Sequence, residues 1–134
     1  MFFKTLLCAR PAALVVLALS MQATTAHADI KDYDFQLVEK ETKKGDGIVA
    51  VRLVRKSDGK PVPDAVIFAT RLDMQPDGME TMKTSIEPMP STEPGVYRFK
   101  VNLIMEGGWR LSLGAKVQGE VDSLESRLVL KALP

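Results

Sequence analysis

Histidine and cysteine are all but missing from this chain of 134 residues, which has one of each, His27 and Cys8. Both fall within the first 28 residues, and that stretch reads as a secretory leader. Lys4 and Arg10 supply a positive start, Pro11 to Met21 is apolar, and Ala26-His27-Ala28 is a small-residue cleavage site. The apolar run is shorter than the roughly 20 residues that span a bilayer. Cleavage after Ala28 is therefore expected, with delivery to the periplasm or the outside and no membrane span afterwards. The remainder, 29–134, would then hold neither histidine nor cysteine. That excludes a disulfide, a thiolate nucleophile, a zinc site of the Cys/His kind and a Ser-His-Asp triad. Acid–base work would be left to carboxylates, Lys and Tyr, so no enzyme is expected.

Charge of one sign is lacking too. Loss of Lys4 and Arg10 leaves 16 basic residues against 17 acidic, a net of −1. No block of like charge exceeds a few residues, since even Lys40 to Lys44 includes Glu41. A nucleic-acid partner calls for a clustered basic surface, and none is legible. No internal repeat, low-complexity tract or linker divides the remainder, which fits one domain with a modest core.

What is present is period-two alternation, the mark of half-buried strands. Tyr33, Phe35 and Leu37 alternate with Asp34 and Gln36. Val49, Val51 and Leu53 share a face. Val66, Phe68 and Leu72 are expected to share the next, with Ala65 and Ile67 opposite. Tyr97, Phe99, Val101 and Leu103 follow, then Trp109, Leu111, Leu113, Ala115 and Val117. Val121 to Leu130 suits a helix almost as well, but reads as a strand because its pairing completes a sheet. Turn signals separate the runs, among them Ser57-Asp58-Gly59-Lys60, Pro76-Asp77-Gly78, Glu93-Pro94-Gly95 and Gln118-Gly119. These features predict an all-β fold, an Ig-like antiparallel β-sandwich of about seven strands.

Methionine is the unusual presence. Met74, Met79, Met82 and Met89 surround the Pro76-Asp77-Gly78 turn, and Met105 precedes Glu106-Gly107-Gly108-Trp109. Methionine ordinarily fills gaps in cores, and read that way Met74 and Met82 are sandwich packing, with Met79 and Met89 covering one end. Thioether sulfur is also a soft ligand that selects Cu(I). Read that way, Met74, Met79 and Met82 are the ligands, with Met89 or Met105 as a supplement. The turn brings Met74 and Met79 together, but Met79 and Met82 point to opposite faces of an extended strand unless a bulge intervenes. Asp73, Asp77 and Glu80 would add negative charge nearby, or else belong to a solvated turn. Trp109, opening the cleanest alternating run, is expected to anchor the core.

Four segments carry a resemblance: Gly59-Lys60-Pro61-Val62-Pro63-Asp64-Ala65, Leu72-Asp73-Met74-Gln75-Pro76-Asp77-Gly78-Met79, Glu93-Pro94-Gly95-Val96-Tyr97 and Met105-Glu106-Gly107-Gly108-Trp109-Arg110-Leu111. Over residues 61–130 the chain resembles the YtkA-like/FixH-like family of exported or membrane-anchored bacterial domains. FixH-type proteins keep an N-terminal membrane helix, from which the short leader here departs. The resemblance implies an Ig-like sandwich working near copper and heavy-metal efflux or oxidase assembly. The expected function is thus a periplasmic accessory protein that binds or handles Cu(I) through methionines. The alternative is a metal-free module that docks on an envelope transporter or oxidase-assembly complex.

Overall fold

The alternating runs become strands in the computed structural model, which describes residues 30–134; the leader lies outside the described residues. In chain order the strands are β1 (Tyr33–Leu37), β2 (Glu41–Lys43), β3 (Gly45–Arg55), β4 (Val66–Met74), β5 (Met79–Thr84), β6 (Ile86–Met89), β7 (Val96–Leu103), β8 (Gly107–Lys116) and β9 (Ser123–Leu133). They form two sheets, ordered β1-β3-β7-β6 and β2-β9-β8-β4-β5. Phe35, Val51, Leu53, Phe99 and Leu103 from the first sheet face Leu72, Met74, Trp109, Leu111 and Leu130 from the second, and all ten are buried. Among the described residues no helix is long and apolar enough to cross a membrane.

The sandwich is as expected, but it has nine strands where about seven were legible. The two extra ones are short edges. Glu41-Thr42-Lys43 has no apolar face to alternate, and it pairs parallel to β9, the one departure from antiparallel order. Ile86-Glu87-Pro88-Met89 looks like a loop because of its prolines, yet it forms β6 against β7. Proline is tolerated there because one side of an edge strand needs no donor. Val121 to Leu130 resolves as strand, paired with β8 through Leu111↔Leu128 and Trp109↔Leu130.

One shared face is corrected. Val66, Phe68 and Leu72 do not lie together, because a register shift between Ile67 and Ala69 inserts an extra residue against β8. A one-residue bulge exchanges the two faces of a strand. Ile67 therefore points inward before it and Leu72 after it, while Val66 and Phe68 stand 64% and 61% exposed. The Phe68 ring lies over Gly114 of β8, where a side chain would meet it within van der Waals distance.

Tyr97 ties the connection before β4 to β7 of the first sheet. Its hydroxyl donates to the Val62 carbonyl at 2.8 Å and accepts from the Ala65 amide at 3.0 Å. Burial pushes this phenol above its ordinary range, so it stays neutral and keeps both roles.

Candidate functional site

The methionine segment begins where β4 ends. Met74 is fully buried, and Gln75–Asp77 makes a single 3-10 turn with Pro76 in its first positions. Gly78 closes the turn at φ 74°, a left-handed conformation that glycine adopts without strain. The chain returns as β5, and Met79 pairs directly with Met74. Residues directly opposite in an antiparallel pair share a face, so both thioethers look toward the core.

The next pair settles where Met82 goes. Asp73 pairs with Lys83 and Leu72 with Thr84, so β4 advances one residue while β5 advances four. This wide bulge is the irregularity that a straight strand would have lacked. Counting back by alternation from inward Thr84, Met82 points inward as well. Met79 and Met82 are both half-buried and pack against the core cluster that contains Met74. Three of the five predicted methionines therefore face one end of the sandwich.

Met105 lies at the same end but stands 40% exposed. Its carbonyl accepts the indole N–H of Trp109 at 3.0 Å, which pins the β7–β8 turn against the core. The register Leu72↔Leu111 and Asp73↔Arg110, carried one residue further, sets Met74 opposite Trp109. The two turns also touch. Asp77 accepts the Gly108 amide at 3.0 Å, and the terminal methyl of Met74 lies against Gly107. Any side chain at Gly107 would run into the Asp77 carboxylate, at a φ of 128° that disfavours one. Gly107→Ala is expected to cost about 1–2 kcal/mol in stability, read as a lowered midpoint in urea, and to pry the two turns apart. An unchanged midpoint would show that the contact is dispensable.

Met89 is not part of this end. It pairs with Arg98 on β7, five residues before Leu103, or about 17 Å of antiparallel strand away. It lines instead a lateral cleft with Pro63, Ile67 and Pro88.

The carboxylates were expected to sit on a solvated turn, and Asp73 does not. It is fully buried on the outer side of β4, beneath two arginines. Arg71 Nε donates to it at 2.7 Å, Arg110 Nη2 at 3.0 Å and the Gln75 amide at 3.0 Å. Burial alone would push its carboxyl up, but these three hydrogen bonds outweigh it and hold the group below the usual carboxylate range. Glu80 is engaged too, accepting from Arg110 at 3.4 Å. None of the three acids is a free charge beside the methionines. Among the described residues no three His, Cys, Asp or Glu side chains stand together as metal donors. The side chains gathered at this end are methionines.

A protein-family model described as YtkA-like matches residues 27–114. Among solved structures, a DUF4426 family protein from Pseudomonas aeruginosa PAO1 superposes with a TM-score of 0.53 at 14% identity. That match covers 76% of this chain and 89% of the other, and it is a likeness of fold. The Lin-41 filamin domain aligns over 78% of this chain and 95% of its own at 15% identity, with a TM-score of 0.47. No curated protein matches the chain.

Proposed function

The chain belongs to the YtkA-like family, and from that premise we propose an exported accessory protein that binds Cu(I) through thioethers at one end of its sandwich. The ligands in this reading are Met74, Met79 and Met82, with Met105 on the rim as a supplement. One observation carries it: the wide bulge in β5 turns Met82 to the same side as Met79, beside the buried Met74. Soft neutral sulfurs suit a monovalent soft cation and discriminate against hard divalent ions. Half-buried Met79 and Met82 give the ion its approach, and buried Met74 and Trp109 close the site behind it. The role is binding and handing on, not catalysis. The receiving partner in this reading is an envelope protein of copper efflux or oxidase assembly.

The test is a Cu(I) titration of the purified protein against a competing chelator, followed by Trp109 fluorescence. Met79→Leu keeps the volume and removes the soft donor. Stoichiometric binding in the parent, weakened at least tenfold in Met79→Leu with an unchanged melting temperature, is the expected result. Equal affinity in both proteins would return the methionines to packing.

A further inference from the structure

A different part of the molecule is open to a partner. β5 pairs with β4 only at Leu72, Asp73 and Met74. Beyond Thr84 the chain leaves this sheet and becomes β6 of the other one. Among the described residues, β4 from Val66 to Arg71 therefore bonds to β8 on one side and to no strand on the other. An unpaired edge is a template for another strand, and proteins usually guard such edges with Lys, Pro or a covering loop. Val66-Ile67-Phe68-Ala69-Thr70 carries no charge and no proline, and its one guard is the bulge at Phe68. β6, the facing edge across the gap, has Pro88.

Beside the β4 edge lies a cleft of about 470 Å³, which Ile67 lines from β4 and which Pro88, Met89, Tyr97 and Phe99, with Glu93 and Arg98, line from the β6–β7 side. A strand laid along β4 would send its inward side chains toward the apolar part of this cleft beside Ile67. Its other side chains would join the outer face of the sheet. Over β4, β5, β8 and β9 that face presents Arg71, Lys83, Arg110, Lys116, Arg127 and Lys131. Asp73, Glu80 and Glu125 oppose them there, and with Arg71 and Arg110 already held by Asp73 and Glu80 the cations left over are Lys83, Lys116, Arg127 and Lys131 against Glu125. This excess of cations stands on a chain whose total charge is close to zero.

We propose that the free edge of β4 at Val66–Arg71 takes up an extended segment of a partner protein. In that segment apolar residues, facing the cleft, alternate with acidic ones, facing the basic outer surface. Main-chain hydrogen bonds would supply the affinity and the alternate side chains the specificity. This surface is separate from the methionine end and does not depend on copper.

The test uses a capped octapeptide of alternating aspartate with valine or phenylalanine, and a matched peptide with lysine in place of aspartate. Amide hydrogen exchange of the purified protein is followed residue by residue. The acidic peptide is expected to slow exchange within Val66–Arg71 and to bind at least tenfold more tightly than the lysine peptide. Val66→Glu with Phe68→Glu, both at well-exposed positions, should weaken it at least tenfold again. Equal binding of the two peptides, protection elsewhere, or no protection at all would overturn the proposal. Self-association of the protein through these same residues, seen by sedimentation, would overturn it in favour of a second copy as occupant.

Discussion

Trp109→Ala is expected to destabilise the protein by about 3–5 kcal/mol. Among the described residues the indole is the largest fully buried side chain, and it is tied to the β7–β8 turn. Its loss removes a core residue set opposite Met74 and leaves a cavity that two paired β-sheets cannot readily close. It also removes the N–H that the Met105 carbonyl accepts. A domain of this size is stable by only some 5–15 kcal/mol. The midpoint of thermal unfolding should therefore fall by roughly 15 °C or more, measured by far-ultraviolet circular dichroism because the variant has no tryptophan. Trp109→Phe separates the two contributions. It keeps most of the ring volume and forfeits the hydrogen bond, so its loss should be clearly smaller. A drop of only a few degrees for Trp109→Ala would mean that the core is held chiefly elsewhere, for example at Phe35 and Phe99.

The strands with a buried face were legible because alternation is a direct imprint of burial. Tyr33 to Leu37, Tyr97 to Leu103 and Trp109 to Val117 all lie as read. The edges were not, since Glu41-Thr42-Lys43 and Ile86-Glu87-Pro88-Met89 bury too little to show a period. Bulges were the other blind spot. One extra residue at Phe68 exchanged the faces of β4, and the wider one in β5 set Met82 beside Met79. A bulge is decided by what lies across the strand, so local pattern does not carry it. The candidate site shows the same division. Met74 and Met79 were legible as neighbours from the turn between them. Met89 was placed with them by closeness in sequence, although β6 carries it into the other sheet. The burial of Asp73 depends on Arg110, a residue 37 positions away that faces it from the neighbouring strand β8. Alternation says only that Asp73 points outward; what covers it there is Arg71 and Arg110.

That acid makes stability depend on pH in a definite direction. Because the hydrogen bonds from Arg71, Arg110 and Gln75 depress the carboxyl in the folded state, folding favours its ionised form. The stabilisation is complete above the unfolded value of about 3.9. It is lost as pH falls through the lower, folded value, where protonation releases both guanidinium groups. Asp73→Asn should therefore cost roughly 2–3 kcal/mol at pH 7. That figure comes from two charge-assisted hydrogen bonds, discounted because Arg71 is 42% exposed to screening solvent. Urea unfolding at several pH values checks it. The gap between parent and Asp73→Asn should be constant from pH 7 down to about pH 5 and should close progressively below about pH 4. A gap that stays the same in acid would mean that the asparagine fails by its shape and not by its missing charge. A gap that widens in acid would reverse the sign of the linkage, and with it the reading of Asp73 as the anion that holds Arg71 and Arg110 on the outer face of β4.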